Sequence, residues 1–135
     1  MGDRPQIGVS TAVFRDGRVL LAQRGTGSLR GRWSLPGGRV EHGETLIEAA
    51  LRELDEEVLV KADIVDLAGI VQVMPRSDGF HYVVLAFAGI WVSGEPQITT
   101  EASDIRWADP VTLDNLHVTD DLHRIVARAA ELVKA

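Results

Sequence analysis

The sequence predicts one α+β domain, a central mixed sheet with helices packed on its faces. Two observations carry this. Short β-branched runs bounded by turn residues outnumber helical patterns, and two helix-period segments each carry one apolar side. Strand runs joined both by tight turns and by a helix call for hairpins and crossovers in one sheet, and helices with one apolar side must cover it. A chain of 135 residues fits a single domain over 1–135.

The elements follow in order. Gln6 to Phe14 and Arg18 to Ala22 read as strands around Asp16-Gly17, a strong two-residue hairpin signal. Gln23 to Arg32 is rich in Gly, Arg and Ser and reads as a loop. Gly37 and Gly38 predict a tight turn, and their missing side chains also let backbone approach a cation or phosphate. Thr45 and Glu48 form a capping-box pattern at the start of a helix, and Glu48 and Arg52 add an i,i+4 pair. On that helix Ile47, Leu51, Leu54 and Val58 fall within roughly 60° of arc and predict its buried face. Glu53, Glu56 and Glu57 fall within roughly 100° on the other side. Ala62 to Met74 and Phe80 to Val92 predict two longer strands around a Pro75–Gly79 loop. Ser93-Gly94-Glu95-Pro96 ends the second of them, and Ile105 to Ala108 is a short strand. Pro110 opens a helical turn through Leu116. Asp120 to Val133 is a second helix with Leu122, Ile125, Val126, Ala129 and Leu132 on one side.

Composition removes several function classes. The chain has no cysteine, which excludes disulfides and thiolate metal sites and is compatible with a reducing cytoplasm, the expected compartment. No apolar run approaches a membrane span of ~20 residues. The N-terminus lacks an apolar signal core, and Gln6 stands where a myristoylation signal needs Ser or Thr. A net charge of −6 argues against binding nucleic-acid polymers. An acidic chain acting on phosphates needs local cations, which points to a metal and a few arginines.

Three acids on one helix side repel one another, and a hard divalent ion such as Mg²⁺ relieves that repulsion and takes oxygen ligands. Taken alone, these acids read better as a solvated helix face, since Glu-rich exposed faces are common. Their spacing to Gly38, Glu44 and Arg52 favours the metal site. The stretch from Gly37 to Val60, GGRVEHGETLIEAALRELDEEVLV, resembles the Nudix box. Gly38, Glu44, Arg52, Glu53, Leu54, Glu56, Glu57 and Val60 match the family pattern. Leu59 departs from it, since glycine is usual there and ends the helix in a left-handed turn. Leucine in that conformation costs roughly 1 kcal/mol, or else the chain leaves the helix differently. Trp33-Ser34-Leu35-Pro36 before the glycines, and Glu101 before Ile105-Arg106-Trp107, extend the likeness.

The resemblance implies an α/β/α sandwich and a Mg²⁺- or Mn²⁺-dependent pyrophosphohydrolase. It implies that Glu56 and Glu57 hold the metal and that Glu53 is a further ligand or the base that activates water. It implies that a carbonyl of Gly37 or Gly38 completes the shell. Glu101 either stays in solvent or reaches across to the metals, as ligand or base. Glu44 would pair with Arg52 and fix the loop as structural support, while Arg52 orients Glu53. Of Arg24, Arg30, Arg32 and Arg39, the first and last are the expected phosphate contacts, because a guanidinium fork suits phosphate oxygens. Phe80, His81 and Tyr82 are expected to pack at the core or edge, with stacking on a base as the other reading. His42, His117 and His123 are expected at the surface.

The substrate implied is a small nucleotide, a nucleoside diphosphate linked to another group. ADP-ribose, giving AMP and ribose 5-phosphate, is the first choice. It follows a likeness to compact bacterial ADP-ribose pyrophosphatase-like members carried by Trp33–Gly38, His81-Tyr82-Val83 and Gly94-Glu95-Pro96. The alternatives are a MutT-type triphosphate pyrophosphatase and a non-catalytic nucleotide-binding module. Members of this size are often dimers, which makes a homodimer possible, although no apolar stripe demands one.

Overall fold

The computed structural model describes residues 4–26, 29–75, 79–113, 116, 118–119 and 121–135. His117, Asp120 and most of the 75–79 loop lie outside them. The elements are β1 (Gln6–Arg15), β2 (Arg18–Arg24), β3 (Trp33–Ser34), β4 (Gly37–Arg39), α1 (Leu46–Val58), β5 (Lys61–Val73), β6 (Tyr82–Ser93), β7 (Ala102–Ala108) and α2 (Leu122–Val133).

Strand β1 is the hub of a mixed sheet. It pairs in parallel with β6 from Gln6↔Tyr82 to Phe14↔Ile90. It is antiparallel to β2 at one end and to β4 at the other. β5 extends the sheet beyond β6, and β3 and β7 flank β2. The β1–β2 loop has two residues, Asp16 at φ 52° and Gly17 at φ 79°. Both are left-handed, as a primed hairpin turn requires.

Alternation along β1 divides the core into two layers. Val9 and Val13 face α1, where Ala49, Ala50, Leu54 and Val58 are buried. Ala12 and Phe14 face α2, where Leu122, Ile125, Val126 and Ala129 are buried. The α/β/α sandwich is therefore present. Among the described residues no helix is long and apolar enough to cross a membrane.

Several sequence expectations change. Gly37 and Gly38 do not form a turn. They lie in β4, paired with Ser10 and Val9, and neither has a positive φ. Their glycine identity comes from crowding. A Cβ on Gly37 would strike the Val9 carbonyl oxygen, and one on Gly38 would strike the Glu53 carboxylate. Of the predicted apolar stripe of α1, Leu54 and Val58 are buried, but Ile47 and Leu51 are 48% and 39% exposed. The buried arc includes Ala50 and Glu57 instead, so the helix is rolled toward its acidic side. β2 runs two residues further than predicted, to Arg24, and β3 closes the following loop. α2 starts at Leu122. Near Pro110, Thr112 N–H donates to Asp109 O at 3.1 Å and Leu116 N–H to Leu113 O at 3.0 Å, with Leu113 in a 3₁₀ conformation, while part of the expected helical turn lies outside the described residues.

Candidate active site

Helix α1 is fixed at both ends. Thr45 Oγ1 accepts from Glu48 N–H at 3.1 Å, and Glu48 Oε1 accepts from Thr45 N–H at 2.8 Å, so the capping box forms. Leu59 ends the helix at φ 62°, ψ 38°, the left-handed cap that glycine usually supplies. Val60 N–H donates to Leu54 O at 3.4 Å and closes the turn.

Arg52 organises the acids around it. Its Nε and Nη2 donate to the two Glu44 oxygens at 2.6 and 3.0 Å. Its Nη1 donates to Glu53 Oε2 and to Glu56 Oε1, each at 3.0 Å. Nη2 also reaches the Arg39 carbonyl at 2.9 Å. Glu44 takes a further bond from Glu41 N–H at 3.0 Å. The expected pairing of Glu44 with Arg52, and of Arg52 with Glu53, is thus present. The Arg52 hydrogen bond holds the Glu44 carboxyl below its usual range, and the same bond keeps Arg52 firmly protonated.

Glu53, Glu57 and Glu101 converge, each offering a carboxylate oxygen within 4.8 Å of the others. Glu57 is 7% exposed, and its Oε1 accepts from Gly37 N–H at 3.0 Å. Burial pushes its carboxyl up to about 7, against the opposing pull of the Gly37 N–H and the Arg24 charge. Burial also raises Glu53, with Arg52 opposing and the Glu101 and Glu56 charges adding. Glu101 is exposed and comes from the end of the loop before β7. Glu56 stands outside this trio, paired to Arg52, but lines the same groove.

That groove, of about 620 Å³, also takes in Arg24, Gly37, Gly38, Arg39 and Arg52. Arg24 and Arg39 are exposed, and Arg39 Nη1 donates to Gln6 Oε1 at 3.2 Å. Three hard oxygen donors, two of them largely buried and raised chiefly by that burial with the neighbouring acids adding, fit Mg²⁺ or Mn²⁺. Close packing of Gly38 against the Glu53 carboxylate leaves no side chain between β4 and the trio.

A second cavity of about 730 Å³ opens on the α2 face and shares Arg24, Gly37, Gly38 and Arg39 with the groove. Gly8, Ser10 and Ala86 contribute to its lining, as do Phe80, Tyr82 and Leu122. Phe80 is exposed and its ring lies 6.2 Å from that of Tyr82, at the cavity rather than in the core. Gly8 and Ser10 were not singled out by sequence. Their signal is alternation, small residues at every second position of β1 leading to Ala12. His42 and His123 are exposed, as expected.

The comparisons agree with this geometry. A family model described as a NUDIX domain matches residues 4–130. An ADP-ribose pyrophosphatase of Methanocaldococcus jannaschii is 30% identical over 112 residues, 83% of this chain and 64% of that protein. An 8-oxo-dGDP phosphatase of Homo sapiens is 30% identical over 125 residues, 91% of this chain and 38% of that protein. The chain thus spans less than two thirds of either relative. Among solved structures, a MutT NUDIX hydrolase from Burkholderia pseudomallei superposes with a TM-score of 0.85 at 27% identity, covering 93% of this chain and 98% of that one. A chain matched by the family model over nearly its whole length, folded in the same way and carrying the box acids on α1, belongs to the Nudix family.

Proposed function

We propose that the protein hydrolyses the diphosphate bridge of a nucleoside diphosphate linked to another group, with Mg²⁺ or Mn²⁺ as cofactor. The observation that carries this is the convergence of Glu53, Glu57 and Glu101 in a groove that continues, past Arg24 and Arg39, into a second cavity of nucleoside size. The metal would be held by that trio, with Glu56 and a carbonyl of Gly37 or Gly38 as the further ligands expected from the box. When bound, it supplies the positive charge that polarises the phosphoryl oxygens and makes the attacking water more acidic.

The protein's own groups do the rest. Arg52 holds Glu53 in place and balances part of the acidic charge. Glu53 or Glu101 takes the proton from the water that attacks phosphorus. Arg24 and Arg39 cover the remaining phosphate charge between groove and cavity. The second cavity receives the nucleoside, with Phe80 and Tyr82 along one wall.

ADP-ribose is the best substrate choice, supported by the relative named for it. The products would be AMP and ribose 5-phosphate. The relative named for 8-oxo-dGDP favours a second reading, an oxidised nucleotide, and the triphosphate pyrophosphatase is the remaining alternative. A panel of ADP-ribose, other nucleoside diphosphate conjugates, 8-oxo-dGDP and triphosphates, incubated with Mg²⁺ or Mn²⁺ and resolved by chromatography, separates them. Pyrophosphate release from a triphosphate, with ADP-ribose untouched, overturns the first choice. Turnover undiminished in Glu57→Ala would overturn the metal centre described above, whereas nucleotide binding with no turnover of any compound in the panel would leave a nucleotide-binding module.

A further inference from the structure

We infer that Thr99 is a positioning residue that sets the carboxylate of Glu101 against those of Glu53 and Glu57. This rests on reading that trio as the metal centre. Glu101 is the one member of the trio that α1 does not carry, so something must fix its loop relative to the helix. The last carbonyls of a helix have no intrahelical partner. Here the segment before β7 supplies partners. Thr99 Oγ1 donates to the Glu57 carbonyl at 2.7 Å, and Gln97 N–H donates to the Val58 carbonyl at 3.1 Å.

The same Thr99 oxygen accepts from the N–H groups of Glu101 and Ala102, each at 3.3 Å. One hydroxyl therefore links the backbone of one trio member to the backbone of another. Thr99 N–H donates to Ala102 O at 3.1 Å and closes the turn. On the far side Gly25 N–H donates to Glu101 O at 3.1 Å, next to Arg24. Thr99 is partly buried, so its bonds compete only partly with water. Without the hydroxyl, Gln97 still bonds the loop to the helix end, but Glu101 loses its link to the Glu57 backbone.

The test is Mn²⁺ binding to the metal-free protein, with free Mn²⁺ read by electron paramagnetic resonance. Wild type, Thr99→Val, Thr99→Ser, Glu57→Ala, Glu101→Ala and the Thr99→Val/Glu101→Ala double variant are compared. Loss of the hydroxyl in Thr99→Val is expected to weaken Mn²⁺ binding by about three- to tenfold, the span of one hydrogen bond. Thr99→Ser restores affinity to within about twofold of wild type, since the oxygen returns. In the Glu101→Ala background the Thr99→Val effect disappears, because the two act as one unit. Wild-type affinity in Thr99→Val, or an undiminished effect in the Glu101→Ala background, overturns the inference. Unchanged Mn²⁺ binding in both Glu101→Ala and Glu57→Ala overturns the metal centre itself, and Thr99 with it. If Thr99→Val does not fold, Thr99→Ala takes its place. Amide exchange in the wild type needs no variant. Protection at Glu101 and Ala102 supports the tie, and exchange at the unprotected rate overturns it.

Discussion

At the scale of single residues, Glu57 sets the chain's pH behaviour. Its carboxyl is raised by burial to about 7 in the folded state. Between its ordinary value and that point the folded chain keeps a proton the unfolded chain has released. The metal-free protein should therefore lose stability as pH rises through that window, by on the order of 3 kcal/mol from this group. Glu53 adds in the same direction. Glu44 acts oppositely, because its lowered carboxyl contributes above its unfolded pKa and loses that contribution only in stronger acid. Urea unfolding at pH 5 and pH 8 in a chelator checks this, and Glu57→Gln should flatten the decline. Mg²⁺ should then stabilise the wild type at pH 8 but not Glu57→Gln. Arg52 gives a second prediction. Its fork serves Glu44 on one side and Glu53 and Glu56 on the other, a geometry lysine cannot reproduce. Arg52→Lys should lower kcat by about 10²-fold through misplacement of Glu53, with a smaller change in KM. The pairing with Glu44 was legible only through the family resemblance, since Glu44 precedes α1 and no helical spacing ties it to Arg52. The reason for Gly38 was not legible, because it is a shortage of room beside Glu53, and the strand that creates it comes from elsewhere in the chain.

At the scale of the element, α1 separates local information from tertiary information. Its start, its cap and the side that carries its acids were legible, since each depends on residues within a turn of one another. Its roll was not. Helical periodicity gives the apolar stripe, but the sheet beneath decides which part of the stripe it covers. Leu54 and Val58 meet the sheet, while Ile47 and Leu51 lie past it, and Glu57 is drawn under with Ala50. That roll buries the acid and brings it to Gly37. The helix end is the second case. Sequence left open whether Leu59 would adopt the left-handed turn or divert the chain, and it adopts the turn. The left-handed backbone costs roughly 1–2 kcal/mol for a residue with a Cβ, whereas glycine loses about 0.4–1 kcal/mol through a freer unfolded chain. Leu59 is 42% exposed, so modest packing is lost on replacement. Leu59→Gly should thus stabilise the protein by about 0.5–1 kcal/mol, read as a higher urea midpoint with unchanged m-value.

At the scale of the whole molecule, the sandwich divides the work between its layers. The α1 layer holds the acids, the α2 layer faces the second cavity, and β1 with β4 forms the partition between them. The chain crosses that partition with glycine at Gly37 and Gly38, and the two spaces meet there and at Arg24 and Arg39. The layered fold was legible from the order of strands and helices. The cavity was not, because its lining gathers residues from β1, β5, β6 and α2 that no local pattern connects. A division of this kind predicts separable defects. Phe80 lies on the cavity side and takes no part in the acidic groove. Phe80→Ala should raise KM for the nucleotide by about two- to tenfold, the range of one lost aromatic stack, while Mn²⁺ affinity stays at the wild-type value. Glu57→Gln should do the reverse and weaken Mn²⁺ binding with little effect on metal-free nucleotide binding. Steady-state kinetics together with Mn²⁺ titration on both variants decides the matter. If Phe80→Ala weakens the metal as much as it weakens the nucleotide, the two spaces form one coupled site and the partition does not divide them.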